Sequence, residues 1–368
     1  MRILYDHQVF SLQNYGGGSV YYYELASRLG QLPGIEVDVC LGMGRSVYPF
    51  PSLKGTGTRV IGWDSALRPG LLRYVANEVL TGAWCALATR WDIYHSTLYR
   101  RMPLVRARRT VATNHDCTQE RFPDLFRDNG RVVKAKRKLY QCADLVICVS
   151  ETSRRDLLEF YSIDRDRTCV IYQGVPQLHR CSEKAVKFIE KVRRPYLLHV
   201  GARYAYKNFD GLLEAYAAGS FAGEYDLVVV GGGEFTAREQ ERVKALGIEK
   251  NVLHWKYASE AILAEAYNRA ALFVSPSRYE GFGLPPLEAL MLGCPVLASN
   301  SASVPEICGD CACYFDPMVP GDLERGIREA LNDPEREKRR TKGLERASQY
   351  NWQKNSEETL AVYASLSS

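Results

Sequence analysis

The sequence predicts an α/β protein made of two doubly wound parallel-sheet domains. Three observations predict it. The 368 residues exceed one ordinary domain and suit two of ~100–200 residues each. Short β-branched runs alternate with amphipathic helical stretches along the whole chain. Several of those runs are continuously apolar, as strands covered by helices on both faces must be.

The elements follow in order. Strands are expected at 2–6 (RILYD), 36–41, 59–63, 92–96, 109–113, 144–149 and 169–172 in the first half. In the second half they are expected at 196–200, 226–230, 252–255, 271–275, 295–298 and 313–315. Helical patterns lie between them. One at 19–29 follows the run Tyr15-Gly16-Gly17-Gly18, and one at 286–292 follows a glycine-rich loop. The stretch 352–366 reads as a closing amphipathic helix. Pro176 and the polar, basic stretch after it mark the break between domains. The expected domains are 1–180 and 181–350, with 351–368 as a terminal helix. Open α/β sheets bind ligands beyond the C-terminal ends of their strands. Two such domains, if facing each other, are expected to leave a cleft along those strand ends.

Composition narrows the class. Apolar residues make up 46% and charged residues 25%, which excludes a disordered, collagenous or coiled-coil chain. No apolar run approaches the ~18–20 residues of a membrane-spanning helix. The start lacks the basic, apolar, small-residue series of a signal peptide, which predicts a cytoplasmic location. The 11 cysteines are odd in number and scattered, so they read as buried hydrophobes rather than disulfides. Net charge is uneven. Residues 1–180 hold 25 Lys and Arg against 17 Asp and Glu, and the remainder holds 23 against 26.

The richest stretch is Ser275 to Glu288, reading SPSRYEGFGLPPLE. Pro285 and Pro286 suit a first helical turn. The amides of Phe282, Gly283 and Leu284 then lie at a helix N-terminus, which favours phosphate. Glu280 and Glu288 are acceptors suited to hydroxyl groups. A second stretch, Val200 to Asn208, carries Arg203 and Lys207 directly after a strand, a cation pair suited to a diphosphate. Gly17 precedes a helix, where a phosphate or a simple turn fits. His115 ends a strand in Val-Ala-Thr-Asn-His-Asp and is a candidate substrate contact.

Other motifs are excluded. Neither glycine cluster completes G-x-G-x-x-G, because Tyr21 and Thr236 stand at the third position. A Walker A loop is absent. Asp164-Arg165-Asp166 has metal-motif spacing but reads as a turn. Cys308, Cys311 and Cys313 lack a fourth nearby ligand for a closed zinc site.

Together these stretches resemble the retaining glycosyltransferases of family 4, and among them bacterial O-antigen and exopolysaccharide mannosyltransferases. The matching motifs are Gly16-Gly17, the G-x-R-x-x-x-K-N of Gly201–Asn208, the V-V-V-G-G-G-E of 228–234, the S-x-Y-E-G-F-G-L-P-P-L-E-A of 277–289, the G-C-P-V of 293–296 and Pro305-Glu306. The resemblance implies the GT-B fold, with two Rossmann-like domains, an N-terminal acceptor domain, a C-terminal nucleotide-sugar domain and a last helix crossing back to the first. It assigns Arg203 and Lys207 to the donor's diphosphate, Glu288 to the ribose and Glu280 to the transferred sugar. It places the amides of Phe282, Gly283 and Leu284 on sugar or phosphate, Gly17 on the phosphate, and His115 beside the sugar. It implies transfer of mannose from GDP-mannose without a metal, the leaving diphosphate being neutralised by cations and a helix N-terminus. A UDP- or dTDP-sugar transferase, a sugar-nucleotide epimerase or hydrolase, and a non-catalytic sugar-nucleotide binder are the alternatives.

Two basic clusters stand in the first half: Arg100, Arg101, Arg106, Arg108 and Arg109, then Arg131, Lys134, Lys136, Arg137 and Lys138. They point to an anionic membrane surface and a lipid-linked glycan acceptor, hence a peripheral enzyme on the inner face of the cytoplasmic membrane. No nucleic-acid module is present, so nucleic acid is not expected as a partner.

Overall fold

A computed structural model describes residues 1–13, 16–43, 57–63, 71–87, 90–99, 105–126, 129–176, 189, 192–219, 221–256 and 258–367. The chain divides into two compact units. Unit one is Met1–Gly174 with Asn351–Ser368, and unit two is Val175–Tyr350. The expected boundary at 180 lies outside the described residues, and the packing divides the chain earlier, after Gly174.

Unit one is a seven-stranded sheet in the order β3-β2-β1-β4-β5-β6-β7. Its strands are β1 (Arg2–Tyr5), β2 (Glu36–Met43), β3 (Thr58–Trp63), β4 (Trp91–Ser96), β5 (Ala107–Asn114), β6 (Leu145–Cys148) and β7 (Thr168–Val170). Its helices are α1 (Gln8–Leu12), α2 (Gly17–Leu29), α3 (Leu71–Leu87), α4 (Thr118–Arg121), α5 (Asn129–Cys142) and α6 (Glu151–Tyr161). Every strand pairing is parallel.

Strand register shows which helices share a face. Leu4 of β1 pairs with Tyr94 of β4, Tyr94 with Thr110 of β5, and Ala112 of β5 with Val146 of β6. Side chains two apart on a strand share a face, so Leu4, Tyr94, Ala112 and Val146 point the same way. Leu4 and Tyr94 pack with Trp84 and Cys85 of α3, and Ala112 and Val146 pack with Leu139 and Tyr140 of α5. Helices α3 and α5 therefore cover one face. The other face, with Ile3, Tyr5, Val111 and Ile147, packs on α2 and on the C-terminal helix.

Unit two is a six-stranded parallel sheet in the order β10-β9-β8-β11-β12-β13. Its strands are β8 (Tyr196–Val200), β9 (Asp226–Val230), β10 (Val252–Trp255), β11 (Leu272–Ser275), β12 (Val296–Ser299) and β13 (Cys313–Phe315). Its helices are α7 (Phe209–Ala218), α8 (Ala237–Ala245), α9 (Glu260–Arg269), α10 (Leu284–Met291), α11 (Val304–Cys308), α12 (Asp322–Leu331) and α13 (Arg336–Ser348). β9 is buried along its whole length, as its DLVVV sequence requires.

The last helix, α14 (Trp352–Ser367), returns to unit one. Its Tyr363 is fully buried. The hydroxyl shares hydrogen bonds with His95 Nδ1 at 2.5 Å and Tyr5 at 3.1 Å. Trp352 packs edge-on against Tyr21.

Candidate functional site

The expected site residues fall into two groups. Seven belong to unit two, and Gly17 and His115 belong to unit one.

In unit two, β8 and β11 are neighbours, and the loops at their C-terminal ends are joined. The Arg278 amide donates to the Tyr206 carbonyl at 2.8 Å. Lys207 ends a single 3-10 turn, Ala205–Lys207, just after β8. Its Nζ donates to both Glu280 oxygens at 2.7 Å and lies over the Tyr206 ring. Ser303 Oγ fixes the Glu280 backbone by donating to its carbonyl at 2.8 Å. This pair is mostly buried but reachable, with side chains 20% and 13% exposed.

Just beyond Glu280, Gly283 caps α10 at φ 97°, a conformation costly for any residue with a Cβ. The helix starts at Leu284, two residues earlier than its apolar pattern predicts. Pro285 and Pro286 lack N–H groups, so they sit in the first turn without losing a bond. The amides of Gly283 and Leu284 thus lie at a helix N-terminus, with Phe282 just before it. Glu288, one turn in, is half-buried and accepts from the Tyr267 hydroxyl at 2.9 Å. Burial pushes the Glu288 carboxyl up to about 7, and the tyrosine bond opposes the shift only in part.

Arg203 is arranged differently from the expectation of a free diphosphate fork. Its side chain is 3% exposed. Nε donates to Glu239 at 2.7 Å and Nη1 to the Gly231 carbonyl at 2.5 Å. Nη2 donates to the carbonyls of Gly232, Gly233 and Glu234 at 3.4, 3.3 and 2.9 Å. Gly231, Gly232 and Gly233 all have positive φ, and a Cβ on Gly232 would fall 2.4 Å from Nη1. Arg203 thereby holds this loop in its left-handed course. Glu239 is positioned by a capping box, with Thr236 Oγ1 and Glu239 bonded to each other's backbone. Sequence reasoning missed Tyr267, Ser303 and Glu239. Only Glu239 left a signal, the T-x-x-E of a capping box.

In unit one, Gly17 opens α2. His115 follows β5, and its ring packs edge-on against Tyr21 at 5.1 Å. Its amide donates to the Tyr99 hydroxyl at 3.2 Å, and its Nε2 is buried with no hydrogen-bond partner. Burial lowers its pKa to about 4, with Asp116 opposing and Lys136 reinforcing the shift. His115 is therefore neutral at pH 7 and presents one nitrogen without a protein partner.

The basic clusters are only partly what their sequence implies. Arg100 and Arg101 lie outside the described residues. Arg108 pairs with Asp92 at 3.6 Å, and Arg109 with Asp144 at 3.0 Å. Arg109 also donates to the Leu366 carbonyl of α14. Lys136 is a core residue, 1% exposed, bonded to Glu120 at 3.1 Å and the Asp116 carbonyl at 2.9 Å. Arg106, Arg131, Lys134, Arg137 and Lys138 remain exposed. Asp164 caps a turn by accepting from the Asp166 amide, as its context predicts. Cys308, Cys311 and Cys313 are free thiols. No group of three His, Cys, Asp or Glu residues fit to hold a metal occurs among the described residues.

Comparison with known proteins agrees with this architecture. Residues 15–177 match the model of Glycosyltransferase Family 4, and residues 182–346 match that of Glycosyl transferases group 1. The chain is 28% identical to an O-antigen chain mannosyltransferase B of Escherichia coli, across 77% of both chains. It is 28% identical to the O-antigen chain mannosyltransferase RfbU of Salmonella typhimurium, across 82% of this chain and 80% of that one. Its fold matches Anabaena HepE, solved with UDP-glucose, at a TM-score of 0.75 and 17% identity, covering 99% of this chain and 100% of that one. It also matches the lipopolysaccharide glycosyltransferase WaaG at a TM-score of 0.73 and 17% identity, covering 99% of both. With two parallel-sheet units, a terminal helix returning to the first, and the two family models on successive halves, the chain belongs to the GT-B glycosyltransferases of family 4.

Proposed function

We propose that the protein transfers mannose from GDP-mannose, with retention and without a metal, to a lipid-linked glycan acceptor in bacterial surface polysaccharide synthesis. The observation that carries the chemistry is the Lys207–Glu280 pair beside the start of α10. Cleaving a sugar–diphosphate bond builds negative charge on the leaving phosphate. Lys207 and the amides of Gly283 and Leu284 supply positive charge and donors for it, already oriented before the reaction. Glu280 holds the Lys207 ammonium in place and offers acceptor oxygens to the sugar. Glu288 accepts from the ribose hydroxyls. Arg203 contributes by fixing the 231–234 loop. Neutral His115 offers Nε2 to the sugar, and Gly17 lets the backbone approach the phosphate. The departing phosphate takes the acceptor's proton on the face it leaves, so the sugar keeps its configuration.

The mannose assignment is supported by the two O-antigen relatives, each named a mannosyltransferase. Acceptor binding is assigned to unit one and donor binding to unit two. The enzyme is placed at the inner face of the cytoplasmic membrane.

Thermal-shift screening against GDP-, UDP-, ADP- and dTDP-sugars tests the donor. A true donor stabilises by about 2.7 kcal/mol at one hundred times its Kd, and GDP-mannose is expected to give the largest shift. A larger shift with UDP- or dTDP-sugars would move the assignment to those donors. Donor turnover without an acceptor would mean an epimerase or hydrolase, and binding without turnover a silent binder.

A further inference from the structure

Helix α3 turns its charge inward and exposes part of its apolar surface. Its two charged residues point into the protein. Arg73 is buried and donates to the Phe10 carbonyl at 2.8 Å, while Glu78 lies 3.5 Å from the buried His7 ring. Asn77, between them, is buried and donates to Ser11 at 2.8 Å. Tyr74 and Cys85 pack inward with them, but four apolar residues face outward: Leu71 is 67% exposed, Leu72 74%, Val75 52% and Val79 68%. Their spacing, 72-75-79 and 71-75-79, makes one stripe along one side of the helix. Scattered exposed leucines are ordinary, but a continuous apolar stripe marks an interaction site.

The same face of the sheet carries α5, as strand register establishes. Arg131, Lys134 and Lys138 stand on its outer side at intervals of three and four. They are exposed and have no ion-pair partner among the described residues. Unit one thus presents, on the outer side of one helical layer, an uncharged apolar stripe and a row of unneutralised cations.

We propose that this layer is the membrane-docking face of unit one, with Leu71, Leu72, Val75 and Val79 entering the interface of an anionic bilayer and Arg131, Lys134 and Lys138 meeting its lipid phosphates. Apolar groups that enter the acyl boundary, beside cations that stay at headgroup level, are the two components of interfacial binding. A protein partner would satisfy the stripe but would need a matching acidic surface for α5. An anionic bilayer satisfies both together. The proposal names the surface behind the membrane placement above, but it stands on exposure and charge and holds whatever the donor is.

Flotation of the full chain with phosphatidylcholine vesicles, with and without phosphatidylglycerol, tests it. The wild type is expected to float with the anionic vesicles, less so at high salt. The variant Leu72→Ser/Val75→Ser/Val79→Ser should lose roughly tenfold or more of that binding. Arg131→Glu/Lys134→Glu/Lys138→Glu should lose it and its salt dependence. Lys244→Glu/Lys250→Glu, in unit two, should bind as the wild type. Circular dichroism and transfer to a soluble acceptor, both unchanged in the α3 variant, separate lost docking from lost fold or lost catalysis. Wild-type flotation by the α3 variant would overturn the proposal, as would no wild-type binding to either vesicle. A concentration-dependent dimer that the α3 variant abolishes would overturn it too, by assigning the stripe to a second copy of the chain.

Discussion

Lys207 Nζ stands 2.7 Å from both carboxylate oxygens of Glu280, across two adjacent strands whose loops are joined by the Arg278–Tyr206 backbone bond. The carboxylate thus aims and neutralises the ammonium. Binding a diphosphate then adds a second anion to the same cation. Lys207→Ala should lower kcat/KM by roughly 2–4 kcal/mol, the range for removing a donor to a developing oxyanion. Glu280→Ala should lower turnover as well, yet leave the affinity for a bare nucleoside diphosphate unchanged or tighter, because it removes a negative charge beside the binding cation. Calorimetry with GDP checks this. An equal loss of GDP affinity in both variants would show that Glu280 is not a sugar-side group.

Arg203 behaves as a clamp on the 231–234 loop. Arg203→Ala leaves the partly buried Gly231 and Gly233 carbonyls and the Glu239 carboxylate without this donor, and each such group costs about 1–3 kcal/mol. Thermal unfolding should drop and amide exchange at 231–235 should quicken. Arg203→Lys should not rescue either, since an ammonium cannot span this fan of acceptors. Unchanged exchange together with weaker pyrophosphate binding would return Arg203 to the role of a direct ligand.

Glu288 links stability to pH. Its folded pKa of about 7 lies above the ordinary 4.5 because burial disfavours the charged form. Between those values the folded chain holds a proton that the unfolded chain has released. The stability this confers is complete below pH 4.5 and is lost as pH rises through about 7. Glu288→Gln should therefore be less destabilised than the wild type on going from pH 5 to pH 8, and should bind nucleotide more weakly at every pH. Parallel melting curves for the two proteins across that range would contradict the assignment.

Lys136 and Lys134 are two residues apart and should respond oppositely. Lys136→Ala strips the buried partner from Glu120 and should cost about 3–5 kcal/mol. Lys134→Ala, at the surface, should stay within about 0.5 kcal/mol. Chemical denaturation of both variants measures the contrast.

Much of the fold was legible because buried parallel strands are unbroken apolar runs. Each strand among the described residues overlaps a run expected from the sequence, though only some of these runs, such as those of β9 and β11, are nearly continuously apolar. The motifs around Lys207, Glu280 and Glu288 were legible because glycine, proline and carboxylate recur at fixed offsets from a strand end. Helix α3 was not. Its sequence, LLRYVANEVLTGAWCAL, is apolar on several sides, so periodicity cannot say which side packs. His7 and the Phe10 carbonyl, far back in the chain, draw its charges inward. The partners of Arg203 were not legible for the same reason: the carbonyls it binds come from a loop 28–31 residues later. Lys136 shares a helix with true surface cations, and only its contacts with Glu120 and Asp116 set it apart.

The most direct test of the central claim is the anomeric configuration of the first product. Proton NMR would follow transfer from GDP-mannose to a glycan acceptor in excess EDTA. The account predicts an α-mannoside as the first species formed, at a rate unaffected by the chelator. A β-mannoside appearing first, or activity lost in EDTA and restored by Mn²⁺, would contradict it.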